Sequence, residues 1–460
     1  MLRRLFGLSA AALVLAACTT APQAPSLSAM PPIVFVHGNG DSAALWQTTL
    51  WRFESNGWPS DRLLAIDVPY PLARDDNSKP QAGKTSATEN MAYLSKEVDR
   101  ILKSTGASQV VLMANSRGGN AVRSFIQDGG GASKVSHAIL GGTPNHGVWA
   151  IKGFNEGNEF SGTGPYLSAL NAPKNAAGDE VTGPVKWMTI RSDSNDKYAQ
   201  PDGIWIGAKG KPTNVTFAGP ELKGAQNVVI PKLDHRETAF SPAAFQAAYR
   251  FITGKDPATT AISVQSSIVL NGQVTGLGVQ SNDPASGNFV NNQPLVGAKL
   301  AVYAIDSVAG MRIGSAVHSR SIGADGLWGP FTAQPGQAYE FEITAAGYAT
   351  MHIYRGAFPR SSNIIHFRAD RMAEADKAGA AVVSFSRPRG YFDVSRDTMS
   401  FDGKTPPPGL PPTGAGLAVS KIVYPSLPDR AIVGEFNGER VVGRAWPAAL
   451  GNLSILEVQQ

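Results

Sequence analysis

The groups able to do chemistry in this sequence are one serine in a particular setting, several aspartates and four histidines, spread from position 37 to position 235. Ser116 stands in Ala114-Asn115-Ser116-Arg117-Gly118, after the apolar run Gln109–Met113 and at the start of a helical pattern, Ser116–Gln127. Small residues two places before and after a serine let a strand and a helix approach closely around a sharp, strained turn, which leaves the hydroxyl exposed at the sheet edge. The amide of Arg117 would then sit at a helix N-terminus, where it can donate to a developing oxyanion. A serine hydroxyl is a weak nucleophile until a base takes its proton. His37, His137, His146 and His235 are the candidate bases. His137 lies inside a strand pattern, where packing or surface exposure explains it, and His146 lies in the turn-forming run Gly141–Gly147. The imidazole in turn needs a carboxylate to fix its tautomer and stabilise its cation. Asp193 and Asp196 both follow a strand pattern at Lys186–Arg191. Asp234 adjoins His235, and sequence neighbours seldom face each other suitably.

The elements around these residues alternate in type. Ile33–Val36, Leu63–Val68, Gln109–Met113, Val135–Leu140, Lys186–Arg191 and Asn227–Ile230 read as strands. Met91, Leu94, Val98, Ile101 and Leu102 recur at helical spacing over residues 88–103. Ser241-Pro242 is an N-cap followed by proline at N1, Phe245, Ala248, Tyr249 and Ile252 form an apolar face, and Gly254 is the stop. Strands alternating with helices predict an α/β fold, a parallel sheet with helices on both faces, over residues 31–255. Residues 148–175 form a long excursion with Trp149, Phe154 and Phe160, read either as a cap over the site or as ordinary edge packing. The composition changes at Asp256: residues 256–266 read as a linker, and β-type runs punctuated by Gly, Pro, Asn and Asp follow over 267–370. Residues 371–460, split by the proline-rich stretch 405–412, read as a second β unit or as completion of the first. An all-β C-terminal region is therefore expected.

With the serine pentapeptide, the His37-Gly38-Asn39-Gly40 turn and the His235 loop in place, residues 31–255 resemble the α/β-hydrolase lipases. The alanine at position 114 is similar to that of compact bacterial lipases. The overall plan resembles an archaeal-type long-chain lipase whose C-terminal β domain binds lipid, and residues 267–370 resemble transthyretin-like or carboxypeptidase-regulatory-like sandwiches. The resemblance implies Ser116 as nucleophile and His235 as base, since the hydrolase order is Ser, acid, His. It favours Asp196, five residues before Pro201, over Asp193 as the acid. It implies the amides of Asn39 and Arg117 as the oxyanion hole, with the His37 side chain holding the loop. The implied substrate is an acyl-ester lipid, with no cofactor. A polyester depolymerase and a non-catalytic binding protein on a retired hydrolase fold are the alternatives.

The remaining observations bound partners and location. Arg3-Arg4, the short apolar run Leu8–Leu15 and Leu15-Ala-Ala-Cys18 resemble the signal and lipobox of bacterial lipoproteins. A signal peptide over 1–17, an acylated Cys18 and a tether over 18–30 would make an exported protein anchored to the membranes of the cell envelope. Thr19 after the cysteine is similar to the outer-membrane pattern of Gram-negative lipoproteins. Cys18 is the only cysteine, which excludes a disulfide scaffold. Without Arg3 and Arg4 there remain 39 basic against 36 acidic residues, with no basic stripe, so no nucleic-acid partner is expected. No cluster has metal-ligand spacing, and no glycine-rich phosphate loop occurs.

Overall fold

The computed structural model describes residues 30–193, 195–206, 208–277 and 290–460. Cys18, the expected signal peptide and nearly all of the expected tether lie outside the described residues. No helix among the described residues is long and apolar enough to cross a membrane.

The N-terminal region is built on six strands: β1 (Ile33–Val36), β2 (Leu63–Ile66), β5 (Val110–Asn115), β6 (Val135–Gly141), β7 (Lys186–Arg191) and β8 (Gln226–Val229). A small pair, β3 (Leu72–Ala73) and β4 (Lys84–Thr85), lies apart from them. The six run parallel in the order β2-β1-β5-β6-β7-β8. Both faces of the sheet are buried, which is why β1, and β5 as far as Ala114, are apolar rather than alternating. Ile33 and Phe35 of β1 join one core with α1 (Gln47–Ser55) and α6 (Pro242–Thr253). Val34 and Val36 join the other, with α2 (Ala87–Thr105) and α3 (Arg117–Gln127). Two shorter helices, α4 (Pro165–Leu170) and α5 (Glu237–Phe240), complete the set. The Ser86 side chain and Glu89 form a capping box that starts α2, and left-handed Gly106 ends it. The expected cap of α6 is present, with the Ser241 side chain accepting from the Ala244 amide and Gly254 left-handed at the end. The sheet order reverses at β1, so the loops after β1 and β5 diverge there and leave a crevice at the carboxyl ends of the strands.

The C-terminal region is β-rich. A seven-stranded sheet is made from residues on both sides of position 371. Its strand Asn452–Glu457 lies between Thr350–Arg355 and Ala381–Ser386, parallel to both. Strands from residues 371–460 thus join the sheet begun by residues 299–355. A three-stranded sheet (Met399–Phe401, Ile432–Phe436, Glu439–Gly443) covers its later part. Segment 256–266 is no free spacer: Arg52 and Asn56 of the α1 end donate to the carbonyls of Thr260 and Thr259. Trp51 is buried in the C-terminal core and donates to the Ser361 carbonyl at 2.8 Å, and His366 lies 2.9 Å from Asp67. The two regions are therefore packed together along a continuous contact.

Candidate active site

Ser116 occupies the turn between β5 and α3 with φ 53° and ψ −125°, a conformation costly for a residue with a side chain. Close packing holds it there. A Cβ on Gly38 would lie 2.8 Å from the Ser116 Cβ, and one on Gly118 would lie 2.6 Å from the His37 carbonyl oxygen. The glycine two places after the serine is therefore required by the approach of α3 to the end of β1. The Ser116 amide donates to Gly141 O at 2.8 Å, tying the turn to the end of β6.

The loop after β1 is fixed by two side chains. His37 Nε2 accepts from the Val68 amide at 3.0 Å, which leaves the proton on Nδ1 to donate to Gly38 O at 2.9 Å. Burial pushes this imidazole below its ordinary pKa, in keeping with a neutral ring. The expectation that His37 holds the loop matches this geometry. The Asn39 side-chain oxygen accepts from the Ala73 amide at 2.7 Å, so that side chain serves the loop and leaves the backbone reading of its role intact.

Asp196 and His235 meet across the carboxyl ends of β7 and β8. His235 Nδ1 is 3.0 and 3.1 Å from the two Asp196 oxygens, and Asp196 also accepts from the Tyr198 amide. The edge of the Tyr198 ring packs on the imidazole at 4.5 Å between centroids. Asp193 instead accepts from the Asn195 amide within its own turn. His146 pairs with Glu180 at 2.9 Å, and His137 packs against Phe251. Ser116, Asn39, Asp196 and His235 all line one cavity of about 390 Å³.

Three features of the site escaped the sequence. The Arg117 side chain is fully buried and makes five hydrogen bonds, to both Glu159 oxygens (2.7 and 2.8 Å), to Pro71 O, and to the Thr85 hydroxyl and carbonyl. All five guanidinium donors are thereby used, and the residue after the serine anchors both the 69–85 segment and the 148–175 excursion. The second feature is the long connection between β7 and β8, which supplies Trp205, Ile206, Val215 and Phe217 to the cavity wall, together with Val148, Trp149 and Phe160 of the first excursion, to which it is tied by the Ala150 amide donating to Thr213 O at 2.7 Å. The third is Tyr391, from the C-terminal region, which reaches the same cavity. The Lys197 ammonium sits 3.8 Å from the Tyr391 ring centroid and donates to Gly416 O, and burial pushes it down to a pKa of about 8.

Residues 30–169, which contain Asn39 and Ser116, match the family "Lipase (class 2)", and residues 266–372 match "Lipase C-terminal domain". The N-terminal domain has the α/β-hydrolase fold. Solved structures similar to the chain include lipase B of Aspergillus fumigatus, at 14% identity and TM-score 0.35, covering 50% of this chain and 54% of that one. The mature lipase BlEst2 of Bacillus licheniformis is 19% identical with TM-score 0.34, covering 48% and 92%. Phospholipase PlaB of Legionella pneumophila is 11% identical with TM-score 0.32, covering 75% and 96%. These superpositions are weak, and the hydrolase fold stands on the strand order and the family match. The chain spans about half the length of the Aspergillus lipase.

Proposed function

We propose that this protein is a lipase or carboxylesterase that cleaves carboxylic esters of acyl lipids through an acyl-enzyme on Ser116. The observation that carries this reading is that a serine on a strained turn and an aspartate-paired histidine line one cavity with apolar walls. In the proposed cycle Ser116 Oγ attacks the ester carbonyl while His235 Nε2 takes its proton. Asp196 holds Nδ1–H and stabilises the imidazolium. The amides of Asn39 and Arg117 donate to the oxyanion, each contributing roughly 3–4 kcal/mol to the transition state. The alcohol leaves with the proton from His235. Water then attacks the acyl-enzyme by the same path in reverse and releases the acid. Aromatic and aliphatic side chains from the two excursions would hold the acyl chain, while Asn115, Thr189 and Asn227 give the cavity polar positions. Acylation of Cys18 and attachment to the cell envelope belong to the same proposal.

The test is Ser116→Ala assayed on p-nitrophenyl esters, together with fluorophosphonate labelling of the folded wild type. A fall in kcat on the order of 10⁶-fold is expected, as in other serine hydrolases, with a single adduct on Ser116. Wild-type turnover in the variant would overturn the assignment.

A further inference from the structure

The loop that carries His235 is not held by its own domain alone. Asp234, immediately before it, is completely buried. One oxygen of its carboxylate accepts the amides of Arg236 and Glu237 at 2.7 and 2.8 Å. The other accepts Arg387 Nη1 at 2.9 Å and the Tyr391 amide at 2.7 Å, both from the C-terminal region. Arg387 Nη2 also donates to Glu237 at 2.6 Å, and the second Glu237 oxygen accepts the Asp234 amide at 2.7 Å. A single guanidinium thus bridges the two carboxylates that bracket the imidazole in sequence. The acid loop is reached from the same side, through Lys197 to Gly416 O and over the Tyr391 ring.

We infer that Arg387 is a positioning residue for the general base: the C-terminal region completes the catalytic centre by clamping the His235 loop through Asp234 and Glu237. The inference rests on the reading of His235 as base. It differs from the sequence expectation, which gave the C-terminal region a part in lipid engagement. The physical reason is charge. Asp234 and Glu237 are neighbouring carboxylates buried at a domain boundary, and burial together with Asp234 raises the Glu237 pKa. Arg396 Nη1 also donates to Glu237, at 2.5 Å, but Arg387 is the guanidinium that joins the two carboxylates; without it that link is lost, and the turn that aims the His235 ring loses its fixed geometry. A base misplaced by about 1 Å costs on the order of 10²-fold in rate.

The experiment compares full-length wild type, Arg387→Met, Arg387→Lys, Glu237→Gln and His235→Ala on p-nitrophenyl butyrate. This soluble short ester makes no use of lipid docking. Arg387→Met is expected to lower kcat by about 30- to 100-fold with KM within twofold, and Arg387→Lys to recover part of the loss. The low-field proton resonance of His235 Nδ1–H, read by NMR, should shift or broaden in Arg387→Met, a change that general loss of stability in a folded protein would not produce. If Arg387→Met fails to fold, Glu237→Gln carries the test with the same kcat and NMR readouts. Folded Arg387→Met, or in its absence folded Glu237→Gln, with wild-type kcat and an unmoved resonance would overturn the clamp. Wild-type activity in His235→Ala would instead overturn the assignment of the base, so the two failures are distinguishable.

Discussion

Ser116 is held by its immediate neighbours, whereas His235 is held from a different domain. Around the serine, β5, the Gly38 and Gly118 contacts and the first turn of α3 are enough to define a strained backbone. Around the histidine, the flanking carboxylates are satisfied by Arg387, 153 residues from Asp234, and by the Tyr391 amide. The contrast shows two ways of meeting one requirement. The proposed nucleophile is presented by local backbone geometry, whereas the proposed base sits on a loop whose partners come from outside.

The largest test of local control is the Arg117–Glu159 pair. Removing one partner leaves an uncompensated buried charge, so Arg117→Met should lower unfolding free energy by about 3–5 kcal/mol in denaturant titration. A change below about 1 kcal/mol would show that the elbow does not depend on its anchor. Next is Gly118→Ala, whose methyl would lie 2.6 Å from His37 O. A cost of about 1–3 kcal/mol is expected, with kcat falling further as the Asn39 and Arg117 amides, the proposed oxyanion hole, move apart. Unchanged kinetics and melting would mean that α3 has room to shift.

Smaller effects are expected at the cavity wall and the His37 loop. Trp205→Ala opens the wall toward Gly416, on which the indole rests. It should relax acyl-chain discrimination by about tenfold, on the scale that apolar pockets achieve, measured as kcat/KM over a chain-length series. The His37 effect has a definite sign. Its folded pKa lies below the ordinary value of 6.5, so its contribution is fully present above that value and is lost as pH falls through the depressed folded one. Melting temperature should therefore fall on acidification from pH 7 to 5, and the slope should be shallower in His37→Gln than in the wild type. An identical slope in both proteins would move the effect elsewhere.

Legibility in the sequence followed the same division. Ser116 and α6 were visible because their signals are local: a pentapeptide between strand and helix, and a Ser-Pro start with a glycine stop. The parallel sheet was visible because its strands are apolar runs between helical patterns. Helix α1 was not, because both its faces are covered. Phe53 packs under the sheet while Trp51 enters the C-terminal core, and buried Gln47, Thr48 and Thr49 break the apolar stripe. The wall residues between β7 and β8 follow no period, since an irregular connection imposes none. Nothing near Asp234 announces Arg387, because that pairing exists only after two distant regions have docked. The role of the Arg117 guanidinium has no local sign, since its partners come from three separate segments.

The placement of residues 452–457 orders events in time. All six other strands of their sheet leave the ribosome before they do, yet this strand fills the gap between Thr350–Arg355 and Ala381–Ser386. Until it arrives, two unpaired edges face an empty slot, a surface open to wrong partners. Arg387 directly follows one of those edges, so the firm seating of the His235 loop waits on a strand that lies far later in the chain.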